Sequence, residues 1–176
     1  MAPRFTFDEA EAAADAWGAN CGPAALAMMT RRTLDEVHPH IPKFDERHYT
    51  NPSMMFAALD SLGVRYYCGA SAQSSENQGM LAWPEFGLAR IQWEGPWTKP
   101  GVPMVARYRH THWVGSMQIF GEAGVFDVNC LNNGSGWVSL QEWATILVPW
   151  LLKQCSPRAT GGWHITHSVE LDVPHA

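Results

Sequence analysis

Trp17-Gly18-Ala19-Asn20-Cys21-Gly22-Pro23-Ala24-Ala25-Leu26 is the stretch on which the reading of this chain turns. It sets a cysteine at a Gly-Pro turn that opens an Ala/Leu/Met-rich helix, expected over 22–29. Proline suits the first turn of a helix, where its missing N–H would be unpaired in any case. The free N–H groups and partial positive charge of that terminus favour an anion. A thiol held there acquires a lowered pKa and becomes a stronger nucleophile near neutral pH.

Two downstream segments supply groups that would act on such a thiol. The first is Arg109-His110-Thr111-His112-Trp113-Val114. Alternate strand positions share a face, so His110 and His112 are both expected to point into one cleft. Only one is needed as a base, and His112 is favoured because Trp113 and Val114 anchor it in apolar sequence. The second segment is Val125-Phe126-Asp127-Val128-Asn129. On a regular strand Asp127 and Asn129 also share a face, and either would orient an imidazole through its second ring nitrogen. A carboxylate would in addition stabilise the imidazolium; Asp127 bonded merely to a turn is the plainer alternative. For an oxyanion hole, the backbone N–H of Cys21 is one donor by position. The second is expected from the Asn20 side chain or from the neighbourhood of Asp15.

Around these segments the chain reads as helices first and strands later. Three Ser/Thr-x-x-Glu capping boxes mark helix starts: Thr6 with Glu9, Thr33 with Glu36, and Ser139 with Glu142. The first helix ends before Trp17-Gly18, and the second, over 34–38, stops near Pro39. A further helix takes Asn51 as its cap, Pro52 at its first position and Gly63 just past its end, with Met55, Leu59 and Leu62 on one face. Strands are expected over 64–68, 88–93, 104–120 (as one or two) and 125–130, with a hairpin turn at Gly121-Glu122-Ala123-Gly124. Loops are expected over 71–79 and 93–102. A helix over 140–152 is kinked or ended at Pro149. Alternation of Trp163, Ile165, Val169, Leu171 and Val173 makes the tail a half-buried strand. The expected class is α+β: a helical N-terminal half packed on an antiparallel sheet, one domain over 1–176.

Composition narrows the function. A chain of 176 residues is long enough for one well-buried core. A net charge of −5 argues against nucleic acid and anionic membranes as partners. No run approaches the length of a membrane span and the N-terminus has no apolar signal core, so a cytoplasmic protein is expected. Cys21, Cys68, Cys130 and Cys155 form no CxxC pair and no zinc-ligand spacing. Neither a metal nor any other cofactor is expected. The remaining histidines lie scattered among turns and polar faces. Trp93 and Trp97, flanking Glu94-Gly95-Pro96, suit a packed loop or a substrate wall.

On these residues the chain resembles the papain-like cysteine peptidase superfamily, and within it the C39-like peptidases. The resemblance is carried by Cys21-Gly22-Pro23-Ala24-Ala25-Leu26, by Thr33-Leu34-Asp35-Glu36 opening the next helix, by the Asn51 helix, by His112-Trp113-Val114 and by Asp127. It implies a papain-like fold in which Cys21 attacks a peptide carbonyl, His112 is the base and Asp127 orients it. Two positions depart from the family pattern. Asp15 stands where the family places the glutamine of its oxyanion hole, and Val128 follows Asp127 where proline is common. The function expected is a thiol hydrolase that cleaves a peptide or isopeptide-type amide through an acyl-enzyme on Cys21. A cell-wall amidase, a deamidase and a transglutaminase-like acyltransferase need the same three residues. A catalytically silent domain that binds a protein partner is the alternative that Asp15 favours.

Overall fold

The computed structural model describes residues 1–68, 83–103, 107, 109–154 and 159–172. The expectations for 71–79, for 104–106, for Cys155 and for Val173 lie outside the described residues.

Five helices come first: α1 (Phe7–Trp17), α2 (Cys21–Thr30), α3 (Leu34–Val37), α4 (Phe44–Arg47) and α5 (Pro52–Ser61). All three capping boxes form as the sequence expects, with the Thr6, Thr33 and Ser139 hydroxyls accepting from the backbone N–H of Glu9, Glu36 and Glu142. Gly18, at φ +73°, ends α1 in the left-handed cap position that glycine enters without steric cost. The Asn51 side chain caps α5 by accepting from Met54 N–H, with Pro52 in the first turn.

The strands are β1 (Tyr66–Cys68), β2 (Phe86–Trp93), β3 (Thr111–Ile119), β4 (Glu122–Phe126), β5 (Trp137–Ser139) and β6 (Trp163–Leu171). They form one six-stranded sheet in the order β1-β6-β2-β3-β4-β5. Every pairing is antiparallel. The molecule is therefore α+β.

Side-chain alternation splits the core in two. Leu88 and Trp113 face α2 and α5 and pack with Leu26, Met28, Met55 and Leu59. Ala89, Ile91 and Val114 face the other way and pack with Trp143, Val148 and Ile165. Strand β2 is thus buried on both faces from Gly87 to Trp93, with Arg90 and Gln92 as its buried polar residues.

Three expectations are corrected. The β3–β4 hairpin turns at Phe120 and Gly121, both at positive φ (53° and 82°), and not over 121–124. Two successive left-handed residues match the twist of a tight hairpin, so Glu122, Ala123 and Gly124 are free to pair with Ile119, Gln118 and Met117. Strand β4 ends at Phe126, where a 3-10 turn (Val128–Asn133) begins, so Asp127 and Asn129 do not share a strand face. Lastly, the helix expected over 140–152 is three pieces: α6 (Leu140–Glu142), a π-helical turn (Trp143–Leu147) and α7 (Val148–Leu152). Pro149 brings no N–H to the ladder and crowds the carbonyl one turn back. The widened turn, in which Val148 N–H reaches Trp143 O, accommodates it.

Candidate active site

Cys21 is the first residue of α2, the helix whose remaining positions from Gly22 to Met29 are all buried. Burial of that helix fixes where the thiol stands. Gly22 permits the approach of the opposite wall: a Cβ there would lie 2.3 Å from the Thr50 hydroxyl and 2.5 Å from its Cβ. The Trp113 indole N–H donates to Thr50 O (2.8 Å), tying that wall to β3.

His112 is buried near the start of β3, paired with Ile91 of β2. Its Nε2 donates to Asp127 Oδ2 at 2.8 Å. His112 also neighbours Cys21 and favours the charged form of its thiol. Its ring stacks on Trp93, with centroids 5.9 Å apart and planes 25° apart, and Trp93 stacks in turn on Trp143. Trp93 is therefore a wall of the histidine's own chamber. Trp97 is buried too, its indole N–H given to Trp93 O (2.7 Å).

Asp127 is fully buried, and both of its oxygens are engaged. Oδ1 accepts from Asn129 N–H (3.0 Å) and from Asn129 Nδ2 (2.8 Å), while Oδ2 accepts from His112 and from the Trp143 indole N–H (2.9 Å). The two readings left open by the sequence are therefore both realised, one on each oxygen. Asp127 caps the 3-10 turn, and it holds the imidazole.

The electrostatics follow from these contacts. Burial opposes the charged form of all three groups. At Cys21 it is outweighed by the hydrogen bond and charge of His112 and by the Trp113 backbone N–H, so the thiol lies below its ordinary pKa despite the more distant Asp127 charge. At His112 burial is outweighed by the charge and hydrogen bond of Asp127 and then by Cys21, which place it well above an ordinary imidazole. At Asp127 burial is outweighed by His112, Trp143 and the Asn129 N–H, which hold it below the usual carboxylate range. All three shifts favour the charged forms: a thiolate, an imidazolium and a carboxylate.

The other candidates fall elsewhere. His110 precedes β3 at φ 52°, breaking the alternation that would have set it beside His112. It packs on Trp97 (4.7 Å) and lines the cleft in front of Cys21. Asn20 gives its side-chain N–H to Ala10 O (2.8 Å), which ties α1 to the start of α2. Asp15 is exposed on α1 and does not line the cleft. Asn129 supports Asp127.

The cleft itself, about 800 Å³, contains wall residues that the motifs did not point to: Thr50, Arg90, His48 and His167. Thr50 lies between α4 and α5, where no motif marks it, and for Arg90 a charge inside the β2 run is the available signal. Among the described residues, no group of three or more His, Cys, Asp and Glu side chains is arranged to hold a metal ion. No helix among them is long and apolar enough to cross a membrane. No family model matches the chain, and no curated protein matches it.

Proposed function

We propose that the protein is a papain-like thiol hydrolase that cleaves a peptide or isopeptide-type amide through an acyl-enzyme on Cys21. The observation that carries this reading is the buried His112–Asp127 pair, bonded at 2.8 Å, beside a Cys21 thiol whose pKa His112 lowers. In the first half-reaction the Cys21 thiolate adds to the scissile carbonyl carbon. The His112 imidazolium gives its proton to the departing amine, leaving a thioester and a neutral imidazole. In the second, His112 takes a proton from water, the hydroxide adds to the thioester, and collapse releases the carboxylic acid product and the thiolate. Asp127 keeps the imidazole in one orientation and stabilises its charged form. The Cys21 backbone N–H, at the start of α2, is one oxyanion donor by position.

A second reading is favoured by one observation. The Asn20 amide spends one of its N–H groups on Ala10 O, and Asp15, exposed away from the cleft, supplies no second oxyanion donor. A domain of this kind that binds a protein partner without turning it over fits that geometry. The cell-wall amidase, deamidase and acyltransferase variants share the triad and differ only in acceptor.

A peptide library separates the readings. The hydrolase reading expects new amino termini released by the parent protein and none by Cys21→Ala. Identical profiles for the two proteins contradict it.

A further inference from the structure

One hydroxyl in the wall of the cleft is unspent. Thr50 is 7% exposed, and its Oγ1 is buried with no hydrogen-bond partner among the described residues. A buried hydroxyl left unpaired is costly, and native structures keep few of them. Thr50 lines the same cleft as Cys21, so its O–H is a donor within reach of whatever occupies that space.

Its neighbours fix where it stands. The Thr50 carbonyl accepts the Trp113 indole N–H at 2.8 Å, and Asn51, the next residue, caps α5. The hydroxyl itself lies against the start of α2. A Cβ on Gly22 would lie 2.3 Å from Oγ1, which puts that oxygen within about 4 Å of the Gly22 Cα. Gly22 follows Cys21 directly and lines the cleft with it.

The helix start supplies the other half of the site. Helix α2 runs for ten residues and has no side-chain cap, because the Asn20 amide reaches Ala10 O instead. The first N–H groups of a helix have no partner within it, and its dipole favours negative charge there. No aspartate or glutamate lines the cleft among the described residues, so no carboxylate in its wall repels an oxyanion.

We propose that the Thr50 hydroxyl is the second donor of the oxyanion hole, acting with the Cys21 backbone N–H. This rests on the thiol hydrolase reading above. As the Cys21 thiolate adds to the carbonyl carbon, the C=O electron pair moves onto oxygen, and that oxygen accepts from both donors. On collapse the pair returns, the leaving group departs and the thioester remains. Thr50 keeps its own proton throughout.

Two reagents separate an oxyanion donor from any other role. p-Nitrophenyl acetate acylates a thiolate through a tetrahedral oxyanion and expels p-nitrophenolate. Iodoacetamide alkylates the same thiolate by displacement of iodide, with no oxyanion formed. Both rates at Cys21 are timed by mass spectrometry on the full chain, with exposed Cys68 as the reference thiol. Thr50→Val and the smaller Thr50→Ala should each slow acylation at least about tenfold, toward the hundredfold cost of a lost oxyanion donor. Alkylation, which also reports that the site is folded, should stay within about twofold. Thr50→Ser, which restores the hydroxyl, should recover most of the loss. Acylation that neither Thr50→Val nor Thr50→Ala slows overturns the proposal. So does an equal fall in both rates, which would place the effect on the thiolate and not on the oxyanion. If Cys21 in the parent protein reacts with iodoacetamide at about pH 6 no faster than Cys68 does, the nucleophile reading fails, and the proposal falls with it.

Discussion

Two thiols lie close to the same carboxylate and end in opposite states. Cys130 sits in the 3-10 turn that Asp127 caps, and its backbone N–H donates to Asp127 O (2.9 Å). Burial, followed by the charges of Asp127 and Glu142, pushes its thiol up to about 12. Cys21 also feels burial and the Asp127 charge, yet its thiol is lowered. The difference is His112, which stands between Cys21 and Asp127 and converts a repelling carboxylate into the support of a neighbouring cation. Position at a helix start helps Cys21, but the imidazolium decides the outcome.

The comparison breaks most sharply at His112. In His112→Ala, Cys21 should come to resemble Cys130. At about pH 6 its alkylation should fall by on the order of a hundredfold, because a thiol returned to its ordinary pKa is almost wholly protonated there. His110→Ala should cost about threefold or less, since His110 packs on Trp97 and not on the dyad. Timed iodoacetamide labelling of both variants checks the ranking, and the reverse order would move the base to His110.

Asp127→Ala comes next. It removes the support of the imidazolium, strands the buried donors of His112 and Trp143, and releases the two donors of exposed Asn129. Alkylation at about pH 6 should drop roughly tenfold, and stability should fall by about 3–5 kcal/mol, the range for breaking a buried pair. Asn129→Ala should cost about 1 kcal/mol, because it removes one side-chain bond to a carboxylate that keeps its other partners. Urea unfolding measures both. The pH dependence carries a definite sign. The pair's contribution from His112, whose pKa is raised, is complete below about 6.5 and is lost as pH rises through its raised value. That from Asp127, whose pKa is lowered, is present above about 3.9 and is lost as pH falls through its lowered value. Asp127→Ala should remove the acid limb of the stability curve.

Asp15→Gln should have the smallest effect. Asp15 is exposed on α1 and outside the cleft. Turnover and Cys21 labelling should stay within about twofold, against the gain of roughly 3 kcal/mol in transition-state energy that a restored oxyanion donor would give. A large gain in turnover would mean that α1 brings Asp15 to the oxyanion.

Much of this was legible because it is local. The capping boxes, the Asn51-Pro52 start and the Gly18 stop each act within a few residues, and each lies where the sequence puts it. Cys21 was legible for the same reason. Asp127 pairs with His112 from the cap of a 3-10 turn and not from the regular strand expected, because periodicity does not tell where a strand yields to such a turn. His110 illustrates the same limit, since one left-handed residue undoes the alternation on which its placement rested. Trp143 was invisible as a partner of Asp127: the π-turn that aims its indole arises from Pro149 further along the chain. Arg90, Thr50 and His167 line one cleft only through the pairing of distant strands and the close approach at Gly22, which no sequence window contains.

The most direct test of the account is the pH profile of Cys21 alkylation, followed residue by residue against Cys130 in the parent protein and in His112→Ala. The account predicts that Cys21 in the parent still labels at about pH 6, well below an ordinary thiol near 8.5, while Cys130 stays inert and His112→Ala moves the Cys21 limb to the ordinary value or above. A Cys21 limb at the ordinary thiol value in the parent, or one that His112→Ala leaves in place, would contradict it.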